Sequence, residues 1–152
     1  MRHEGEMRMS NGNVYKGTFL NDKVHGQGRY LMNSGVIFEG HFTNGACDGV
    51  GKLMYANGDL YFGQHRDFVR ERQGKMIYLN GSMYEGSWVN DRKDGRGKMY
   101  EKISEDIYKG EYLEGKRNGR GRMYYHQKQE IYDGDWVNDR RQGEGHVINR
   151  KG

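Results

Sequence analysis

The sequence predicts an all-β fold built from repeated antiparallel β-hairpins. Three observations point there. An aromatic-x-Gly triplet recurs as Tyr15-Lys16-Gly17, Phe38-Glu39-Gly40, Tyr61-Phe62-Gly63, Tyr84-Glu85-Gly86, Tyr108-Lys109-Gly110 and Tyr132-Asp133-Gly134, in steps of 23, 23, 23, 24 and 24 residues. A self-similar period of this length marks a repeat architecture. A Gly-x-Gly pair follows at fixed distance, as Gly26/Gly28, Gly49/Gly51, Gly95/Gly97, Gly119/Gly121 and Gly143/Gly145; the third repeat breaks it, with Arg72 ahead of Gly74. Around both motifs the apolar side chains alternate with polar ones, the period of a strand with one buried face.

Composition agrees with a thin structure. One domain, 1–152, is the expectation for 152 residues. There are 25 Gly and no Pro, and Leu, Ile, Val and Phe together make 25 residues. So few aliphatics would suggest disorder if the net charge were high. The charge is only +4, and twelve Tyr, five Phe and two Trp supply large buried areas instead. A single cysteine, Cys47, forms no internal disulfide and fits a reducing compartment. The first residues carry no apolar signal region, and no apolar stretch is long enough to cross a bilayer as a helix. A cytoplasmic setting is therefore expected. Asn80-Gly81-Ser82 matches a glycosylation acceptor but reads better as a turn.

Numbering each repeat from its leading aromatic as position 1 gives the elements in order. Position 5 is Phe19, Phe42, His65, Trp88, Tyr112 and Trp136, so positions 1, 3 and 5 share one face of a first strand. Polar residues such as Asn21-Asp22-Lys23 and Asn90-Asp91-Arg92 form a turn, centred on positions 8 and 9. By this reading Cys47 lies in a hairpin turn. Position 16 is Tyr30, Leu53, Met76, Met99, Met123 and Val147, apolar throughout, on a second strand. Asn57-Gly58 and Asn80-Gly81 then turn the chain into the next hairpin. The turn position sets a register in which 1 faces 16, 2 faces 15, 3 faces 14 and 5 faces 12. Gly faces Gly, and Glu39/Lys52, Glu85/Lys98 and Asp133/His146 face each other on the opposite side. The same register opposes His65 to Arg72, which marks the third repeat as a weak point below pH 6. Residues 101–105 and 126–130 replace the Asn-Gly endings and are expected to form longer loops.

Residues 84–97, Tyr-Glu-Gly-Ser-Trp-Val-Asn-Asp-Arg-Lys-Asp-Gly-Arg-Gly, closely resemble the MORN repeat, and residues 108–121 and 132–145 do so nearly as well. The resemblance covers six near-complete repeats, starting near 15, 38, 61, 84, 108 and 132, and a partial repeat over 1–14 in which Gly5, Met7 and Gly12 match positions 14, 16 and 21. It implies an elongated, single-layer solenoid of antiparallel hairpins with a groove along one side. It also implies a cytoskeletal or ciliary scaffold that holds a partner helix or extended peptide. In some family members the repeats are linked to anionic phospholipids.

Catalytic and cofactor chemistry finds no purchase in the sequence. No helical period follows the Gly-x-Gly pairs, so they do not form a phosphate cradle. The six His are scattered without metal-ligand spacing, and no nucleophile–base constellation stands out, so no enzyme activity, cofactor or metal is expected. Two surfaces remain. The aromatic and Met-lined face offers a partner-binding groove of Tyr84, Trp88, Met99, Tyr108, Tyr112, Met123, Tyr132 and Trp136, residue types frequent at interface hot spots. Trp88 and Trp136 are its expected anchors. Position 15 offers the alternative, a basic ladder of Arg29, Lys52, Lys75, Lys98 and Arg122 spaced about 9–10 Å apart, suited to an anionic membrane. A protein partner in a large assembly is expected, and no specific nucleic acid. Unpaired strand edges at the two ends predict end-to-end self-association, blunted at one end by Arg150 and Lys151.

Overall fold

A computed structural model describes residues 1–149, so Arg150 and Lys151 lie outside the described residues. Every element among them is a strand. They are β1 (Arg2–Arg8), β2 (Val14–Leu20), β3 (Lys23–Leu31), β4 (Ile37–Thr43), β5 (Ala46–Met54), β6 (Leu60–Arg66), β7 (Val69–Ile77), β8 (Met83–Val89), β9 (Arg92–Tyr100), β10 (Ile107–Leu113), β11 (Lys116–Tyr125), β12 (Glu130–Val137) and β13 (Arg140–Asn149). The chain divides into two compact units, Met1–Val69 and Arg70–Gly152. In the first, β1 to β6 pair antiparallel in chain order. In the second, β7 to β13 do the same.

Much of the expected register is present. Gly17 faces Gly28, Gly40 faces Gly51, Gly86 faces Gly97, Gly110 faces Gly121 and Gly134 faces Gly145. Position 1 faces position 16, as in Tyr84 with Met99 and Tyr108 with Met123. Beyond the glycine pair the register shifts. Position 5 faces position 10, not position 12: Phe19 faces Val24, Phe42 Cys47, Trp88 Lys93, Tyr112 Arg117 and Trp136 Arg141. The turn is the reason. It is a two-residue turn at positions 7 and 8, with both residues at positive φ: Asn21 (51°) and Asp22 (66°), Asn90 (47°) and Asp91 (68°), Asn138 (48°) and Asp139 (71°). Such turns match the twist of a hairpin and favour Asn, Asp and Gly. The two surplus residues of the second strand are absorbed in a bulge, where Gly26, Gly95, Gly119 and Gly143 take φ of 83–105°.

Two expectations are corrected by this shift and by the loops. Cys47 lies in β5 opposite Phe42, because Asn44 and Gly45 make the turn. On its β8 side, Arg72 faces Trp88 of the next repeat. The loop 101–106 is longer than its counterparts 55–59 and 78–82, as expected, but the extra residues near 126–130 instead lengthen the strands, with Tyr125 facing Glu130.

The core is a chain of rings. The leading rings Tyr15, Phe38, Tyr84 and Tyr108 stand edge-on to the position 5 rings of their own and the next repeat. Tyr84 meets Trp88 at 5.0 Å and Tyr112 at 5.3 Å, and Tyr108 meets Tyr112 at 5.2 Å and Trp136 at 5.4 Å, all near perpendicular. Tyr15 sits likewise between Phe19 and Phe42 in the first unit. Edge-to-face pairs add to the area that the rings bury. The ring itself lies over the glycine pair, so a Cβ on Gly28, Gly51, Gly97, Gly121 or Gly145 would fall inside it. Each leading tyrosine hydroxyl then donates to the carbonyl three residues on, in the bulge: Tyr15 to Thr18 (2.9 Å), Tyr61 to Gln64 (2.5 Å), Tyr84 to Ser87, Tyr108 to Glu111 and Tyr132 to Asp135 (each 2.8 Å). A polar tip under an apolar ring is therefore satisfied.

Candidate functional site

The eight residues expected to line a groove all lie in the second unit and come together on its aromatic face. They are largely enclosed. Trp88 is 3% exposed, Trp136 2% and Tyr112 5%, and Tyr84, Tyr108, Met123 and Tyr132 are buried too. Met99 is half-buried. The indole N–H groups are already engaged, Trp88 donating to Gly74 O and Trp136 to Gly121 O, each at 3.1 Å. These rings form a floor by packing on one another.

Above the floor lies a layer of cations that the sequence reading missed. Position 10 is Arg70, Lys93, Arg117 and Arg141 in the second unit, against Val24 and Cys47 in the first. The bulge brings position 10 opposite position 5, so each cation covers rings. Arg70 lies 4.7 Å from the Trp88 centroid, Arg117 4.7 Å from Trp136, Arg141 4.8 Å from Tyr132, and Lys93 5.1 Å from Tyr112 and 5.5 Å from Tyr84. A cation over an aromatic face is attracted by the ring's quadrupole. The signal was available: a basic residue at 23–24-residue spacing two places after each turn aspartate or its equivalent. The assumed 5/12 register placed glycine there instead.

Two of these cations are clamped by the next repeat's turn. Asp91 Oδ1 accepts from Arg70 N–H (2.7 Å) and Nε (2.9 Å), and the Asp91 carbonyl accepts from Arg70 Nη2 (2.9 Å). Asp139 repeats this on Arg117 at 2.8, 3.1 and 3.0 Å. Burial alone would raise the Asp139 pKa; the bonds from the Arg117 N–H and guanidinium outweigh it and hold the carboxyl below its ordinary value. Burial lowers the pKa of Lys93, against the pull of Asp139 and Glu101. Burial also pushes the Tyr108 hydroxyl up to about 12, and raises Tyr84 and Tyr112, so all three stay protonated donors near neutral pH. Lys93, Met99, Tyr112, Arg117 and Met123 contribute to a recess of about 160 Å³, which Glu101, Asp106 and Asp139 also line.

The basic ladder lies on the opposite face and is interleaved with acids. In the first unit Glu39 faces both Arg29 and Lys52, and Arg29 Nε is 3.4 Å from the Glu39 carboxylate. In the second, Glu85 faces both Lys75 and Lys98, while Arg122 pairs with Asp133 at 2.9 Å and holds its carboxyl below the usual range. Lys98, Lys109 and Arg122 stand side by side without an acid between them, as do Lys16 and Arg29 in the first unit. Among the described residues no group of three His, Cys, Asp or Glu is placed to hold a metal ion. No helix is long and apolar enough to cross a membrane.

A family model described as MORN repeat matches residues 15–36, 38–60, 84–100, 108–127 and 132–148. It leaves out residues 61–83, the repeat that carries His65 and Arg72. Among curated proteins none matches the chain. Among solved structures, the SAS-4 (dCPAP) TCP domain of Drosophila melanogaster, in complex with a proline-rich motif of Ana2 (dSTIL), is similar over 97% of this chain and 90% of its own, at 16% identity and a TM-score of 0.50. At that identity the likeness is one of fold. A catalytically inactive virginiamycin B lyase from Staphylococcus aureus with quinupristin aligns with 98% of this chain and 60% of its own, at 10% identity and a TM-score of 0.21, which supports no comparison.

Proposed function

The chain belongs to the MORN repeat family, and on that premise we propose that it is a non-enzymatic protein-interaction scaffold whose aromatic face, in the second unit, holds a helix or extended peptide of a partner. The observation that carries this reading is the recess over the ring floor. It combines half-buried Met99, cations held over rings, and the absence of a second protein layer on that face among the described residues. Apolar surface rimmed by charge is characteristic of interaction sites. The solved domain of similar fold that is bound to a proline-rich motif supports a polypeptide as the occupant. A cytoplasmic, cytoskeletal or ciliary assembly is part of the same proposal and rests on the family resemblance.

The alternative is a peripheral adaptor on anionic membranes, favoured by one observation, the Lys98–Lys109–Arg122 run. The ladder is interleaved with acids, Glu39 in the first unit and, at the two ends of that run, Glu85 opposite Lys98 and Asp133 opposite Arg122, and exposed interleaved charges are an ordinary solvated surface. Adjacent residues separate the two readings, because side chains alternate across a strand: Met99 points to the aromatic face and Lys98 to the ladder. A photo-crosslinking residue placed at 99 or at 98 in the full chain, in the cells that express it, is expected to yield a polypeptide adduct from 99 and none from 98. Lipid adducts from 98, with none from 99, would replace the scaffold reading by the membrane one.

A further inference from the structure

The cation layer has one rung that is built differently. At the Arg70 and Arg117 rungs the next repeat's turn supplies an aspartate, and that carboxylate takes both the backbone N–H and the side chain of the cation. The intervening rung has Lys93, and the residue equivalent to Asp91 and Asp139 is Gly115. The backbone is unchanged: Gly115 N–H donates to Lys93 O at 2.8 Å, as Asp91 does to Arg70 O (3.0 Å) and Asp139 to Arg117 O (2.9 Å), and Gly115 has φ 87° against 68° and 71°. Only the carboxylate is missing. Among the described residues, Lys93 makes no ion pair within 4 Å and its N–H has no acceptor from the following turn.

We infer that the Lys93 rung is a receptor for a carboxylate brought by the partner: an Asp or Glu side chain of the bound polypeptide takes the place that Asp91 and Asp139 fill at the neighbouring rungs. The space exists, since a Cβ on Gly115 meets nothing within 4 Å. The other carboxylates around the recess have bonds of their own, while Asp139 and Glu101 attract Lys93 from a distance. Asp139 is held by Arg117, Asp106 accepts from His126 N–H at 2.9 Å, and Glu101 is bonded by the Ser82 hydroxyl at 3.3 Å. Their negative charge disfavours a small free anion. The carboxylate is therefore expected on a chain that also covers the apolar floor at Met99 and Met123. A buried cation bonded by a carboxylate is a stronger contact than an exposed pair, because its bonds are charge-assisted and less screened.

This inference rests on the scaffold reading and deepens it. Its test uses the full chain, isotope-labelled, with amide NMR shifts as the readout. The probes are acetyl-Leu-Asp-Leu amide and, as the uncharged control, acetyl-Leu-Asn-Leu amide. The Asp peptide is expected to move the Lys93 and Gly115 signals and to bind at least tenfold more tightly than the Asn peptide. Gly115→Asp, which takes a backbone conformation that Asp91 and Asp139 already adopt, is expected to fill the rung from within and abolish that preference. Lys93→Met abolishes it too. Equal binding of the two peptides, a preference that survives Gly115→Asp, or no shift at these amides would overturn the carboxylate receptor. The crosslinking at 99 and 98 would then still decide the scaffold reading separately.

Discussion

At the scale of single residues, the glycines of the repeat have different reasons to be there. The second glycine of each Gly-x-Gly lies under a ring. On Gly97 a Cβ would come 2.5 Å from Cζ of Tyr84. Gly97→Ala should therefore cost about 2–3 kcal/mol through overpacking. Gly49 occupies the first glycine position of its repeat, but a Cβ there meets nothing within 4 Å and its φ is not left-handed. Gly49→Ala should stay within about 0.5 kcal/mol of the parent. Urea unfolding of the two variants checks the contrast, and equal losses would mean that the ring does not enforce the glycine. Arg72 presents the reverse case. It holds φ 61° where Gly26, Gly95, Gly119 and Gly143 stand at 83–105°. A left-handed L-residue costs about 1–2 kcal/mol, partly offset by the entropy that glycine loses. Arg72→Gly should slow amide exchange across 70–77, by a gain of about 0.5–1 kcal/mol; faster exchange would show that the Arg72 side chain contributes more than its backbone costs.

At the scale of the hairpin, acid sensitivity is expected in the third repeat, from the buried imidazole of His65. His65 is 6% exposed, and its Nδ1 accepts from Phe68 N–H at 3.1 Å. Its ring stacks on Phe68 and stands edge-on to Phe38 at 4.7 Å. Nε2 is buried without a partner. Burial lowers the His65 pKa, with Asp67 opposing. A base with a lowered folded pKa is neutral in the fold while the unfolded chain takes a proton. Its contribution is fully present above the unfolded value of about 6.5 and is lost as pH falls through the lowered folded value. Local amide exchange at 61–68, corrected for intrinsic rates, should rise as pH drops from 7 to 5, and His65→Phe should remove the rise. A flat profile in the parent would contradict this.

The hairpin also shows where sequence reasoning stopped. Repeat length, strand faces, the glycine pair and the 1/16 and 2/15 partners follow from alternation and from the spacing of Tyr-x-Gly and Gly-x-Gly. The bulge does not. A turn moved by one residue and two surplus residues opposite Thr18 or Ser87 look alike in sequence, and only the positive φ at both Asn90 and Asp91 distinguishes them. The 5/10 pairing followed from that bulge, and with it the cation layer. The site was thus half legible: the ring floor was named residue by residue, but it was read as surface. Rings that satisfy their own tips, as Tyr84 does on Ser87 and Trp88 on Gly74, need no outside partner.

At the scale of the molecule, each unit has its own character. The first carries apolar Val24 and Cys47 at position 10, opposite Phe19 and Phe42, and a ring cluster of Phe38, Phe42 and Phe68. The second carries four cations over its rings, two of them clamped by aspartates. The claim that joins these observations is that a partner polypeptide reads the recess over the ring floor, and that the basic ladder is a solvated face. The most direct measurement is the affinity of the polypeptide crosslinked from position 99 for two variants that circular dichroism shows to be folded. Lys93→Glu with Met99→Asp changes the recess, and Lys75→Glu with Lys98→Glu and Lys109→Glu reverses the ladder. The recess variant should bind at least tenfold more weakly than the parent, and the ladder variant within about twofold, since exposed charges contribute little. Loss of affinity in the ladder variant, with the recess variant unchanged, would contradict the account.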